Sequence, residues 1–65
     1  MTAQMRRWLT AHGLTAVQVA DKAGVRIRDL YDSLSGRRPV QPELQSTLLG
    51  IYGMTEAEYR EAVQG

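Results

Sequence analysis

A glycine closes each of the first four apolar-periodic stretches of this chain: Gly13, Gly24, Gly36 and Gly53. Glycine accepts the left-handed backbone that ends a helix, where a Cβ would be strained. Between these stops, apolar side chains recur three and four apart, the spacing of one helix face. No alternating run of four or more β-formers competes. The chain is thereby held to short helices and short turns, an all-α fold of five helices.

Each helix carries its own boundary signals. The first spans Ala3 to His12 on a stripe of Met5, Trp8 and Leu9, with Met5 and Trp8 reading as core rather than as a ligand cage. The second starts at Thr15, where Gln18 completes a capping box and Leu14 pairs with Val19 as a hydrophobic staple. Its inward residues are Val19, Ala20 and Ala23. The third runs from about Arg26 to Leu34 on Ile27, Leu30 and Leu34, with Tyr31 beside the stripe, and starts weakly because arginine is no side-chain cap. The fourth opens with Pro42 at its first position and predicts a buried stripe of Leu44, Leu48, Ile51 and Tyr52. Gly50 weakens it by about 1 kcal/mol relative to alanine, marking either close packing or tolerance. The fifth repeats the capping box at Thr55 and Glu58, with Met54 set to staple Tyr59, and fades near Val63.

The 65 residues make one domain at most. With no cysteine and one histidine, His12, neither a disulfide framework nor a multi-ligand metal site is expected. His12 reads as a surface residue favoured by the end of its helix. Ser33, Ser35 and Ser46 lie in no nucleophile motif, so the chain reads as a non-enzyme without a cofactor. Apolar runs are too short to span a membrane. Arg6 and Arg7 are followed by no apolar leader stretch, so a cytoplasmic protein is the expectation.

Charge divides along the chain. Residues 1–38 hold seven cationic side chains against three acids, a net +4, and residues 39–65 hold one against four, a net −3. Such a split points to a polyanion-binding side.

Ala16 to Ser35 reads as a helix, a glycine turn and a second helix. Small Ala20 lets the second helix cross closely above it, Gly24 supplies positive φ, and Val19, Val25 and Leu30 bury the inner faces. The outer face of the second helix is left to project. This unit resembles the helix-turn-helix of the lambda-repressor and Cro-like (XRE) family. The matching words are Gly13-Leu14-Thr15, Val19-Ala20-Asp21-Lys22-Ala23-Gly24-Val25, Leu30, and Leu34-Ser35-Gly36-Arg37-Arg38-Pro39, with Ile51-Tyr52-Gly53-Met54-Thr55 closing the fourth helix in the family's manner. The resemblance covers nearly the whole chain.

The resemblance implies a lambda-repressor-like five-helix domain whose third helix enters the DNA major groove. Base contacts then fall to Arg26, Ile27, Arg28, Tyr31 and Asp32. Arg28 suits guanine, since its fork matches O6 and N7. Ile27, if it faces outward, meets a thymine methyl. Arg26 serves a base or a phosphate, and Asp32 either accepts from cytosine N4 or holds Arg28 four residues away. Thr15 and Ala16 match positions where the family approaches a phosphate through backbone N–H groups. Arg37 and Arg38 look like phosphate anchors.

The chain departs from the family pattern at Arg26, where a serine or threonine cap is common, and at Ala16, where many members carry glutamine. Ser33 takes an apolar position. Leu9 and Leu34 take the places of an arginine–glutamate pair, a physically reasonable exchange of a buried ion pair for hydrocarbon.

The expected function is a sequence-specific DNA-binding transcriptional regulator of the phage or mobile-element type. It acts as a homodimer on double-stranded operator DNA, with Val40, Leu49, Tyr59 and Val63 at the interface. The alternative is a protein-interaction module on the same fold, antiactivator-like or antitoxin-like, that does not bind DNA. A bare apolar patch of Ile27 and Tyr31 favours the second; one face lined by Arg26, Arg28, Arg37 and Arg38 favours the first.

Overall fold

The computed structural model describes residues 1–64 and contains helices and no strand among them. The helices are α1 (Ala3–Ala11), α2 (Ala16–Ala23), α3 (Ile27–Leu34), α4 (Pro42–Ser46, continued by a π-helical turn, Thr47–Ile51) and α5 (Glu56–Gln64). They close into a body 22 × 21 × 17 Å. α1 packs on α5, and α2 packs on both α3 and α4.

The starts follow the local chemistry. Thr15 accepts from Gln18 N–H at 3.2 Å while Gln18 Oε1 accepts from Thr15 N–H at 2.9 Å. The same reciprocal pair forms at Thr55 and Glu58, at 3.1 and 2.9 Å. Thr2 caps α1, accepting from Met5 N–H at 3.1 Å, and its hydroxyl donates to the Ala62 carbonyl, tying α1 to α5. The first helix ends one residue earlier than its apolar pattern indicates, with His12 as its cap. Arg26 caps α3 with no side-chain hydrogen bond.

The core joins Met5, Trp8 and Leu9 of α1 to Val19 and Ala20 of α2 and Leu30 and Leu34 of α3. Leu44, Leu48, Met54 and Ala62 complete it. Leu9 and Leu34 are both buried in this core. Val25, Ala23 and Leu14 are half-buried against this core.

The fourth helix differs from its sequence expectation. Leu44 and Leu48 are buried, but Ile51 is 55 % exposed. The cause is the π turn. Buried Thr47 donates its hydroxyl back to the Glu43 carbonyl at 2.8 Å, a pattern that bends helices. Tyr52 N–H then bonds Thr47 O, five residues back, at 3.1 Å. The extra residue in that turn breaks the three-and-four spacing and swings Ile51 outward. Gly50 has open space where a Cβ would stand, so tolerance explains it.

α3 ends in a Schellman turn. Gly36 adopts φ +80; its N–H bonds Ser33 O at 3.2 Å, and Arg37 N–H bonds Asp32 O at 3.0 Å. Nothing lies within 4 Å of a Cβ built on Gly36, so only the backbone conformation resists substitution. Gly36→Ala is expected to cost about 1–2 kcal/mol, the strain of a left-handed L-residue, read as a lowered urea midpoint at unchanged m-value. An unchanged midpoint overturns this account of the α3 end.

Candidate nucleic-acid interface

The apolar side of α3 sets which residues look outward. Leu30, Ser33 and Leu34 are buried. At 3.6 residues per turn the opposite direction falls on Arg28, Asp32 and Ser35. Arg28 is exposed and makes no ion pair among the described residues. It stands at the centre of the outward face.

One edge of α3 is apolar. Ile27 and Tyr31, four apart, are 39 % and 44 % exposed, and Val17 at the start of α2 is 66 % exposed. Tyr31 borders a groove floored by Leu9, Leu14 and Ala16 and lined by Arg6 and Thr10 of α1. Arg6 thus brings α1 charge close to α3, a neighbour that linear sequence does not show.

The other edge is charged and internally paired. Asp29 holds two arginines: Oδ1 accepts from Arg38 Nη1 at 3.1 Å, and Oδ2 lies 3.6 Å from Arg26 Nε. Asp32 pairs with Arg37 at 3.9 Å. Of the two readings of Asp32, the pair with Arg28 does not form among the described residues. The Schellman turn brings Arg37 back over Asp32, so the closer guanidinium takes the carboxylate and leaves Arg28 free. Sequence reasoning gave Asp29 no role; its offset of three from Arg26 is the signal that would have found half of it. The four arginines Arg26, Arg28, Arg37 and Arg38 and the acids Asp29 and Asp32 leave this region a net +2.

The start of α2 also differs in detail. Both the hydroxyl and the N–H of Thr15 are engaged in its capping box. The N–H groups of Ala16 and Val17 are the ones that a helix start leaves unpaired. A phosphate at this end would meet those two rather than Thr15.

Away from α3, the seam between α1 and α5 holds a second groove lined by Arg7, Trp8, His12, Glu58 and Glu61. His12 stacks on Trp8 with ring centroids 4.1 Å apart, and its Nδ1 bonds the Trp8 carbonyl at 2.8 Å. The buried Trp8 indole N–H finds no hydrogen-bond partner among the described residues. No cluster of three potential metal ligands exists among the described residues. None of their helices is long and apolar enough to cross a membrane.

The Glu58 carboxyl in this seam is held below its ordinary pKa of 4.5, chiefly by the Thr55 backbone N–H; desolvation opposes, and the Thr55 hydroxyl, His12 and the nearby Trp8 indole assist. A folded-state pKa below the unfolded one contributes stability above pH 4.5 that is lost as pH falls through the folded value. Glu58→Gln keeps the capping acceptor but cannot titrate. Its melting temperature is expected to fall less steeply than wild type between about pH 5 and pH 3; parallel profiles by circular dichroism would show that Glu58 is not part of the acid response.

Comparison with family models, with curated proteins and with solved structures finds no match to this chain.

Proposed function

We propose that this chain is a sequence-specific DNA-binding transcriptional regulator, a small repressor of the phage or mobile-element kind that acts by occupying its operator as a dimer. The observation that carries this reading is Arg28. Its guanidinium has no ion pair among the described residues and stands at the centre of an outward helix face beside the edge that holds Arg26, Arg37 and Arg38. A free fork offers two parallel donors to guanine O6 and N7. The flanking arginines and the Ala16 and Val17 N–H groups suit phosphates on either side of the groove. In this reading α2, the Gly24 turn and α3 are a helix-turn-helix with α3 as reader.

A body 22 Å across covers about six base pairs at 3.4 Å each. So short a site supports little discrimination, which favours two copies on half-sites about one helical turn apart. Val40, Leu49, Tyr59 and Val63, half-buried on the chain's own core, remain the surface assigned to that contact. Leu49 and Tyr59 border one groove with Glu56 and Arg60.

The test is selection of bound duplexes from a random pool, followed by fluorescence anisotropy on the selected and a scrambled duplex at two salt concentrations. A selected, two-fold-related sequence is expected. With three phosphate-contacting arginines per copy, the dimer's log K should fall with log salt at a slope of about −5. Failure to enrich any sequence, with weak binding to every duplex, overturns operator recognition.

The exposure of Val17, Ile27 and Tyr31 favours a second reading, in which the same side of the molecule docks on a protein in the manner of an antiactivator or antitoxin. That reading predicts salt-insensitive capture of a partner and no selected duplex.

A further inference from the structure

Asp29 stands in an unexpected place for a surface meant to meet a polyanion. Its side chain is only 14 % exposed, and each carboxylate oxygen faces a different arginine. Arg26 comes from the residue before α3, and Arg38 from the loop beyond its far end. The loop after α3 lies against the helix's last two turns. Arg37 lies beside Asp32, Arg38 beside Asp29, and the Pro39 carbonyl accepts from Ser33 Oγ at 3.5 Å.

An acid in the first turn of a helix is stabilising through the helix dipole alone. That role needs no partner and does not explain why both oxygens are occupied. Arginine side chains lose much rotamer freedom when they are fixed on a ligand. A guanidinium has five donors, so one held by Asp29 keeps others free for a phosphate. The arrangement lowers net charge and in exchange ties Arg38 by a hydrogen bond of 3.1 Å and draws in Arg26, whose side chain is 89 % exposed, at 3.6 Å.

We propose that Asp29 is a positioning residue of the DNA-reading face, holding Arg26 and Arg38 in register with α3 so that they favour the operator over other DNA. The inference rests on the DNA-binding reading above. Phosphates of a correctly docked operator meet both held arginines at once. On other sequences α3 docks without its base contacts, and the same arginines are poorly placed.

The experiment compares wild type with Asp29→Asn on the selected and scrambled duplexes at two salt concentrations. Asparagine removes the charge at nearly constant shape. The variant is expected to bind scrambled DNA more tightly, with the dimer's salt slope steeper by about two, one charge in each copy. The selected duplex gains less or loses, so the ratio of the two affinities falls about fivefold or more. Equal tightening on both duplexes, with the ratio unchanged, overturns the proposal and leaves Asp29 a neutralising acid only. Nitrogen-15 spectra give an independent readout. The Arg26 and Arg38 Nε–H signals should shift and exchange faster in Asp29→Asn, which loss of a dipole interaction alone does not produce.

If Asp29→Asn fails to fold, Arg38→Gln on the exposed loop takes its place. It is expected to lower the same ratio, and equal weakening on both duplexes counts against the proposal. A wild-type chain that selects no sequence overturns the DNA reading and this inference with it. A wild type that selects, paired with an unchanged ratio in the variant, overturns this inference alone.

Discussion

Replacing Arg28 with alanine should remove about 1–3 kcal/mol per copy, one bidentate guanine contact in each half-site, so the dimer's affinity for the selected operator falls at least roughly 30-fold. Binding to scrambled DNA should change far less, because a base contact made only in register is absent there. Arg28 is exposed and unpaired among the described residues, so the variant should keep wild-type stability within about 0.5 kcal/mol. Arg28→Lys is informative beside it: the charge stays but the planar fork goes, and most of the specificity should go with it. Arg37→Ala is the contrast, weakening all duplexes alike and reducing the dimer's salt slope by about two, one phosphate contact in each copy. If Arg28→Ala behaves as Arg37→Ala does, Arg28 touches phosphate, and α3 is not reading bases through it.

Leu34→Ala carries the largest expected effect on stability. Leu34 has no exposed surface and sits among Leu9, Leu30 and Leu44 in one cluster. Truncating such a leucine costs about 2–5 kcal/mol. A domain of this length has in total only roughly 3–10 kcal/mol of stability. The melting temperature should fall by at least about 10 °C, followed through the fluorescence of the single tryptophan, Trp8. Ser33→Ala next to it should change stability by less than about 1 kcal/mol, since its bond to Pro39 O is long, at 3.5 Å. A large loss at Ser33 and a small one at Leu34 would reverse the account of which residue fills the core.

Ser33 and Leu34 also show how far a pattern can be carried. The leucine at position 34 does the core work expected of it, yet the serine at 33 is buried as well, at 2 % exposure. It tolerates that place because its hydroxyl reaches a carbonyl in the returning loop. Trp8, Val19, Leu30 and Leu44 could be placed inside from helical spacing alone, and they are inside. Ile51 obeyed the same spacing and is outside, because Thr47 turns its hydroxyl onto the helix and widens the next turn.

The candidate interface was legible in its residue types and less so in their pairing. Arg26, Ile27, Arg28 and Tyr31 all reach the surface along α3, with Arg37 and Arg38 just beyond it. The ion pair read from the four-residue offset of Arg28 and Asp32 was displaced by one that the Gly36 turn creates. Arg6 and Asp29 entered only with the packing, since their neighbours at Tyr31 and Arg38 lie far along the chain.

Sequence alone determined the helix ends of this protein, because the capping boxes at Thr15 and Thr55 and the glycine turns at Gly24 and Gly36 are hydrogen-bonded within six residues. It also determined most of the core, since the 3.6-residue period names the inward face of a helix, with Ile27 at the first position of α3 and Ile51 in the π turn as the stripe residues that lie outside. Tertiary structure decided which of the arginines at α3 has no ion pair among the described residues. That outcome depends on the path of the loop after α3, which carries Arg38 back to Asp29 across nine residues. A carboxylate takes whichever guanidinium the chain path brings nearest, and over such a distance that is a property of the folded backbone.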